Sequence, residues 1–206
     1  MLKKVPLAGL MLLALSPLSW AQGSSAQSPQ LISIAEAVYP KDQLLPGVEG
    51  RVEFQGTITA AGVVEDLKIL VSSGFPPLDK AGEDSLKTAK FKPAMDKDGK
   101  PTARTVRLPV DIHRSPTSVD RPCLWFNNEI TEFARFNPSL GVNDLKSIQV
   151  IRGAYISGLF GGDPVGMTTR IMSAGKMIDD TLKQCNATPD TTVLAVIRAA
   201  VKKFGN

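Results

Sequence analysis

The stretch that decides the fold runs from Gly50 to Ile112 and reads GRVEFQGTITAAGVVEDLKILVSSGFPPLDKAGEDSLKTAKFKPAMDKDGKPTARTVRLPVDI. Its first part contains two runs, Val52–Thr59 and Val63–Val71, in which apolar and polar residues alternate. Alternation with a period of two is typical of a strand that buries one face. The short connection Ala60-Ala61-Gly62 predicts that the two strands form a hairpin.

A helix and a third strand are expected after the hairpin. The loop Ser72–Pro77 is followed by apolar residues at helical spacing. The residues that share one helical face are Leu78, Gly82, Leu86 and Ala89. The run Arg104–Ile112 alternates again, with Val106, Leu108, Val110 and Ile112 on one side. The predicted order is β-β-α-β, so the predicted fold class is α+β, with one helix packed on an antiparallel sheet.

This block resembles the C-terminal domain of TonB, the periplasmic protein that transmits inner-membrane energy to outer-membrane transporters. The resemblance covers residues 35–113, and several short motifs carry it in the family's order. These motifs are Tyr39-Pro40, Gly50-Arg51-Val52, Gly62-Val63-Val64-Glu65-Asp66, Ser72-Ser73-Gly74, Leu78-Asp79 and Phe91-Lys92-Pro93-Ala94. The family pairs its sheet edge with an extended peptide of an outer-membrane transporter. The resemblance therefore implies a peptide-binding module that is not an enzyme and needs no cofactor.

Residues 1–21 have the pattern of a signal peptide. Lys3-Lys4 precedes the apolar run Val5–Ser16, and Ser19-Trp20-Ala21 is a small-x-small cleavage site. The alternative is an uncleaved anchor, but a spanning helix needs about 20 apolar residues and this run is shorter. We expect cleavage after Ala21, a periplasmic location and no stable membrane span.

The residues between the signal peptide and the resemblance are expected to have little structure. Residues 22–34 are predicted to be a flexible lead, and Leu31–Val38 to include a brief helix that Ser33 caps, with Glu36 three residues later. The chain departs from the family here, since it lacks a proline-rich spacer that could cross the periplasm. Energy transduction by this chain alone is therefore not expected.

Composition argues against a nucleic-acid partner. The 206 residues are 43% hydrophobic and 21% charged, which is typical of a globular protein. The formal net charge is +4, but the signal peptide supplies two of these charges through Lys3 and Lys4. The small remaining charge does not indicate nucleic-acid binding, and aromatic and basic residues are not interleaved.

The second half of the chain is predicted to be helical. Residues 114–122 contain prolines and small polar residues and indicate a linker. Helical apolar patterns then end near Asn137-Pro138, cover residues 145–159 and 168–184, and return at residues 193–204. Cys123 and Cys185 are an even pair in an exported chain, which favours a disulfide over two buried thiols. Residues 123–206 are therefore predicted to form a small all-α domain held by this disulfide.

Residues 123–206 also resemble the HdeA-like group of exported helical proteins, which includes periplasmic acid-stress chaperones and Tai-type immunity proteins. The residues that carry this resemblance are Cys123, Gly153-Ala154-Tyr155-Ile156-Ser157-Gly158, Cys185 and Pro189. It implies an alternative function, in which the helical domain acts as a periplasmic chaperone or neutralises a toxin.

Few residues suggest catalysis or metal binding. His113 is the single histidine and has no serine or cysteine nucleophile near it in sequence, so a solvated histidine at a strand end is favoured over a catalytic base. One histidine without clustered cysteines does not indicate a zinc site. Asp96–Gly99 is similar in sequence to the start of a calcium-binding loop. Its glycine comes earlier than in such loops and the closing glutamate is missing, so a turn is predicted instead.

The third strand is the predicted binding site. Pro109 lacks a main-chain donor and is tolerated at an edge, a strand start or a bulge. An edge strand presents unpaired N–H and C=O groups that an extended peptide can complete. The predicted peptide-binding residues are Arg104, Val106, Arg107, Leu108 and Val110. The expected partner is a protein or peptide such as the periplasmic segment of an outer-membrane transporter.

Charge near this strand points to an acidic partner. Seven basic residues lie between positions 87 and 107, against Asp96 and Asp98. Such a region would steer an acidic peptide in a salt-dependent way. The alternative is that the charges and Pro109 only protect the edge against aggregation.

Overall fold

The computed structural model describes residues 26–112, 120–160 and 166–204. The predicted signal peptide, His113 and residues 114–119 of the predicted linker lie outside the described residues. The elements in chain order are β1 (Gln30–Ser33), β2 (Gly50–Ile58), β3 (Val64–Val71), α1 (Pro76–Lys87), β4 (Lys90–Lys92), β5 (Ala94–Met95), β6 (Pro101–Thr102), β7 (Arg104–Ile112), α2 (Cys123–Phe136), α3 (Lys146–Ile156), α4 (Met167–Ala187) and α5 (Val193–Phe204).

The main sheet has the strand order β3-β2-β7, and both pairs are antiparallel. Val52, Phe54 and Ile58 of β2 are buried, and α1 buries Leu78 and Leu86 against the same side. Burying such a side chain contributes about 1.5–3 kcal/mol. The predicted α+β class, with one helix packed on an antiparallel sheet, is confirmed.

Ser72 and Ser73, just before α1, form hydrogen bonds with a carboxylate in the first turn of this helix. The buried Asp79 carboxylate accepts hydrogen bonds from Ser72 Oγ at 2.5 Å, Ser73 N at 2.8 Å and Ser73 Oγ at 2.6 Å. A carboxylate in the first turn also interacts favourably with the helix dipole. These bonds fix the loop between β3 and the helix.

The β2–β3 hairpin depends on Gly62. Its φ is +78°, and a Cβ atom there would lie 2.0 Å from the Phe91 carbonyl oxygen. Strand β3 contains two irregularities, and Asp66 within it has a positive φ of 54°. Strand β2 stays regular, because each irregularity places the additional residue on β3. Alternation alone did not predict these bulges.

The segment before the sheet differs from its prediction. The prediction of a brief helix over Leu31–Val38 is wrong, because Gln30–Ser33, which lies in the predicted lead, forms strand β1 and pairs antiparallel with β4. The physical reason lies at the end of α1, where the hydroxyls of Ser85 and of Thr88, the residue after the helix, form hydrogen bonds with the main chain of Ala35. That contact brings the chain alongside β4, a strand that was not predicted.

The helical half agrees well with the predicted pattern. Helix α2 ends at Phe136, next to the predicted stop at Asn137-Pro138, and α4 and α5 cover the last two apolar patterns. A disulfide joins Cys123 at the start of α2 to Cys185 near the end of α4, which confirms the predicted bond.

The helices pack against one end of the sheet. Lys146 Nζ donates to Ser72 O at 2.6 Å, and Asn137 Nδ2 donates to Gly74 O at 2.9 Å. Buried residues of both halves belong to one hydrophobic cluster. At the end of the predicted linker, Arg121 is only 1% exposed and lies between the sheet and the helices.

Candidate peptide-binding edge

Strand β7 is an edge of the main sheet. It pairs with β2 over nine consecutive residues without a bulge, from Arg104 opposite Ile58 to Ile112 opposite Gly50. Among the residues that the structure describes, no strand lies along its other side. The predicted edge position of Arg104–Ile112 is therefore confirmed.

The hydrogen bonds of β2 reveal which main-chain groups of β7 point outwards. Successive residues of an antiparallel strand direct these groups to opposite sides. Thr59, directly after β2, donates to Val63 O at 2.9 Å, so odd-numbered residues of β2 bond towards β3. Even-numbered residues then bond towards β7, where Gly56 lies opposite Val106. The residues left with outward main-chain groups are Thr105, Arg107, Pro109 and Asp111.

The five predicted contact residues divide into two groups. Leu108 and Val110 are 8% and 9% exposed and their side chains face the core, while Val106 is half-buried on the same side. The main-chain groups of these three residues also bond inwards, towards β2. Arg107 has both an exposed side chain and outward main-chain groups, and Arg104 has an exposed side chain at the strand's start. Sequence reasoning missed Thr105, although its parity with Pro109 was readable.

The basic side chains between positions 87 and 107 are exposed. They are those of Lys87, Lys90, Lys92, Lys97, Lys100, Arg104 and Arg107, of which Arg104 and Arg107 belong to β7. Lys87 pairs with Glu83 at 2.5 Å. Asp96 accepts hydrogen bonds from Asp98 N and Lys100 N, which confirms the predicted turn. Neither Arg104 nor Arg107 forms an ion pair with a described residue, so both cations are available to a ligand.

The opposite edge of the sheet is less suited to an added strand. Strand β3 exposes Ile69, Leu70 and Val71, but its two irregularities break the even spacing of main-chain groups. Bulges at an edge commonly end strand pairing. The regular edge is therefore β7.

A buried charge cluster joins the two halves. Arg121 contacts the Glu129 carboxylate, donates to Gly47 O at 3.2 Å and lies 4.0 Å from a Glu49 oxygen. Its guanidinium also lies over the Phe126 ring, 5.3 Å from the centroid. Burial raises the pKa of Glu129 even though Arg121 and a hydrogen bond from Ser147 oppose the shift. Two carboxylates share one cation here, and the cluster faces the core, so it holds the structure rather than a ligand.

The described residues offer little for other chemistry. They contain no group of three or more histidine, cysteine, aspartate or glutamate side chains that could hold a metal ion. None of the described helices combines the length and apolar character needed to cross a membrane.

Comparisons with known proteins agree with the first half of the chain. Residues 35–111 match the family model described as Gram-negative bacterial TonB protein C-terminal, which confirms the resemblance predicted over residues 35–113. The solution NMR structure of the Pseudomonas aeruginosa TonB CTD is 24% identical, with a TM-score of 0.36, over 44% of this chain and 89% of that chain. No curated protein matches this chain. The resemblance of residues 123–206 to HdeA-like proteins stays a prediction.

Proposed function

We propose, from the TonB C-terminal domain that residues 35–111 carry, that this chain is a periplasmic protein-interaction module accessory to outer-membrane transport. It binds an extended peptide, such as the periplasmic segment of a transporter, by strand addition along β7. The domain family supports an interaction role rather than an enzymatic one. The observation that carries the proposal is the regular, unoccupied side of β7 within the described residues.

The outward main chain supplies the affinity. Thr105 and Arg107 each present an N–H and a C=O, whereas Pro109 presents only a C=O. A peptide strand that pairs with them gains hydrogen bonds that each contribute about 0.5–1.5 kcal/mol. Because the side chains of Leu108 and Val110 face the core, the peptide contacts β7 through main-chain hydrogen bonds and through the exposed side chains on the opposite face of the sheet.

The exposed cations favour an acidic peptide. Arg104 and Arg107 are solvent-exposed and unpaired with described carboxylates, and Lys97 and Lys100 lie in the turn before the strand. Charges at the rim of an interface mainly raise the association rate. High salt screens these charges, so the rate falls again as the salt concentration increases. An acidic residue next to the pairing segment would therefore bind faster at low ionic strength.

Two substitutions at one residue separate the main-chain contribution from the charge. Arg107→Ala removes the cation but keeps the N–H, and Arg107→Pro removes both. Proline is compatible with this parity, since Pro109 already occupies an equivalent outward position. An acidic-apolar peptide is titrated against the exported chain and both variants by calorimetry.

We expect Arg107→Ala to weaken binding mainly at low salt. Arg107→Pro should weaken it a further three- to tenfold at every salt concentration, because one main-chain bond is lost. Equal affinities for the alanine and proline variants would contradict strand addition and leave β7 a protected edge. Binding whose NMR shifts lie only in residues 123–204 would favour the chaperone or immunity alternative.

A further inference from the structure

We propose that β4 is a second peptide-receiving edge, and that residues 26–34 close it by imitating a bound peptide. These residues are called the arm below. The inference does not depend on what binds to β7, because the two edges belong to different sheets. It concerns a surface that the chain's own N-terminal segment now covers.

The arm is bound as an added strand. Gln30, Leu31 and Ser33 pair with Lys92, Phe91 and Lys90, in that order. Further along, Gln27 and Met95 exchange two main-chain hydrogen bonds of 3.0 Å. The other side of β4 already contacts the hairpin, where Phe91 N donates to Gly62 O at 2.8 Å. The arm therefore occupies the remaining side of β4.

The arm is held weakly. All residues of β1 are exposed, with Leu31 at 53% and Ile32 at 68%, and the register shifts at Ile32. Segments with few buried apolar contacts open at low free-energy cost. Ala35 marks the point where firm attachment begins, because its N–H donates to Thr88 Oγ1 at 2.9 Å and its C=O accepts from Ser85 Oγ at 2.6 Å. The arm can leave β4 without disturbing that anchor.

The residues of β4 indicate which peptide sequence would pair with this strand more favourably than the arm does. Lys92 and Lys90 face the neutral residues Gln30 and Ser33, so neither lysine has a cross-strand charge partner in the arm. Opposite charges at directly paired positions stabilise an antiparallel pair. A peptide with the consecutive pattern acidic, apolar, acidic would place carboxylates opposite both lysines and an apolar side chain opposite Phe91, without the arm's bulge. The proposed partner is therefore an extended acidic-apolar-acidic peptide.

The arm then acts as a competitor for this peptide. The apparent dissociation constant rises by the reciprocal of the fraction of molecules whose edge is open. If the arm covers β4 about nine-tenths of the time, its removal tightens binding about tenfold.

The probe is a synthetic peptide, SPELEIA, which follows residues 28–35 without the bulged residue and with glutamate opposite both lysines. A neutral peptide, SPQLSIA, is the control probe. Both are titrated by NMR against the full exported chain and against a variant that lacks residues 26–33. We expect SPELEIA to shift the Lys90–Lys92 amides, to release the arm in the full chain, and to bind the shortened chain about tenfold more tightly.

Two further variants keep the test decisive. Lys92→Glu should reduce SPELEIA binding at least fivefold, whereas the matched reversal Lys68→Glu on β3, also exposed, should leave it unchanged. If the shortened chain fails to fold, Leu31→Gly weakens the arm at an exposed position of the intact chain and should tighten binding. Equal affinity with and without the arm, shifts at Thr105–Pro109 instead of β4, or no binding to the arm-free chain would overturn the proposal.

Discussion

The joint between sheet and helices makes a quantitative prediction for Arg121→Ala. The guanidinium of Arg121 is almost completely buried and is the cation that faces both Glu129 and Glu49 among the described residues. Removing it leaves two buried carboxylates without a positive partner. Breaking a buried ion pair from one side typically costs about 3–5 kcal/mol.

This loss should be large on the thermal scale. For a chain of this size, 1 kcal/mol lowers Tm by about 2–4 °C, so Arg121→Ala should lower Tm by roughly 6–20 °C. The control is Arg51→Ala on β2, whose ion pair with Asp111 at 3.1 Å is exposed. An exposed pair contributes about 0–1 kcal/mol, so this variant should differ little from the parent chain.

Trp125 supplies the assay. Its side chain packs on Gly47 at the joint, and it is the one tryptophan in a protein prepared as residues 22–206. Urea unfolding followed by tryptophan fluorescence therefore reports the joint directly. If Arg121→Ala proves no less stable than Arg51→Ala, the cluster does not hold the halves together. A triple variant, Arg121→Met with Glu129→Leu and Glu49→Leu, should recover most of the loss, because no unpaired charge remains.

Three further predictions follow from the disulfide, the buried carboxylate and the signal peptide. Cys185→Ala opens a loop of 62 residues and should cost about 4 kcal/mol; because the halves share a core, calorimetry should show one lowered transition, and an unchanged sheet transition would contradict the shared core. Burial raises the folded-state pKa of Glu129 above its ordinary value of 4.5, so the folded chain binds the proton first as pH falls through that raised pKa, and the free energy of unfolding should rise. Urea unfolding at a series of pH values from 7.5 downwards measures this rise, and Glu129→Gln should reduce it; an undiminished rise in that variant would refute the assignment. Intact-mass analysis should find a mature N-terminus at Gln22. A protein that retains Met1 and is found in the membrane fraction would instead support the alternative of an uncleaved membrane anchor.

The main sheet and the helices were predictable because their patterns of apolar residues repeat over many residues without interruption. Strand β7 alternates over nine residues, and the paired cysteines flank a helical pattern, so local sequence carries most of the information. The arm and β4 were not predictable in this way. They are short, and their pairing depends on hydroxyl groups at the end of α1, those of Ser85 and Thr88, which are 50 and 53 residues away from Ala35 in sequence.

The candidate binding edge was predictable only in part. Pro109 identified the edge, but Leu108 and Val110 were included among the predicted peptide-binding residues although alternation places their side chains in the core. Which residues present outward main-chain groups follows from the register with β2, and register is a tertiary property. The same limit hid Arg121, whose two carboxylate partners come from separate parts of the chain.

Amide hydrogen exchange along β7, measured with and without a bound acidic-apolar peptide, tests strand addition most directly. Val106 and Leu108 already donate towards β2, so their amides should be protected in both states. Thr105 and Arg107 donate outwards and should exchange quickly in the free chain, then at least tenfold more slowly once the peptide is bound. Protection that stays unchanged at Thr105 and Arg107 while the peptide is bound would contradict the account.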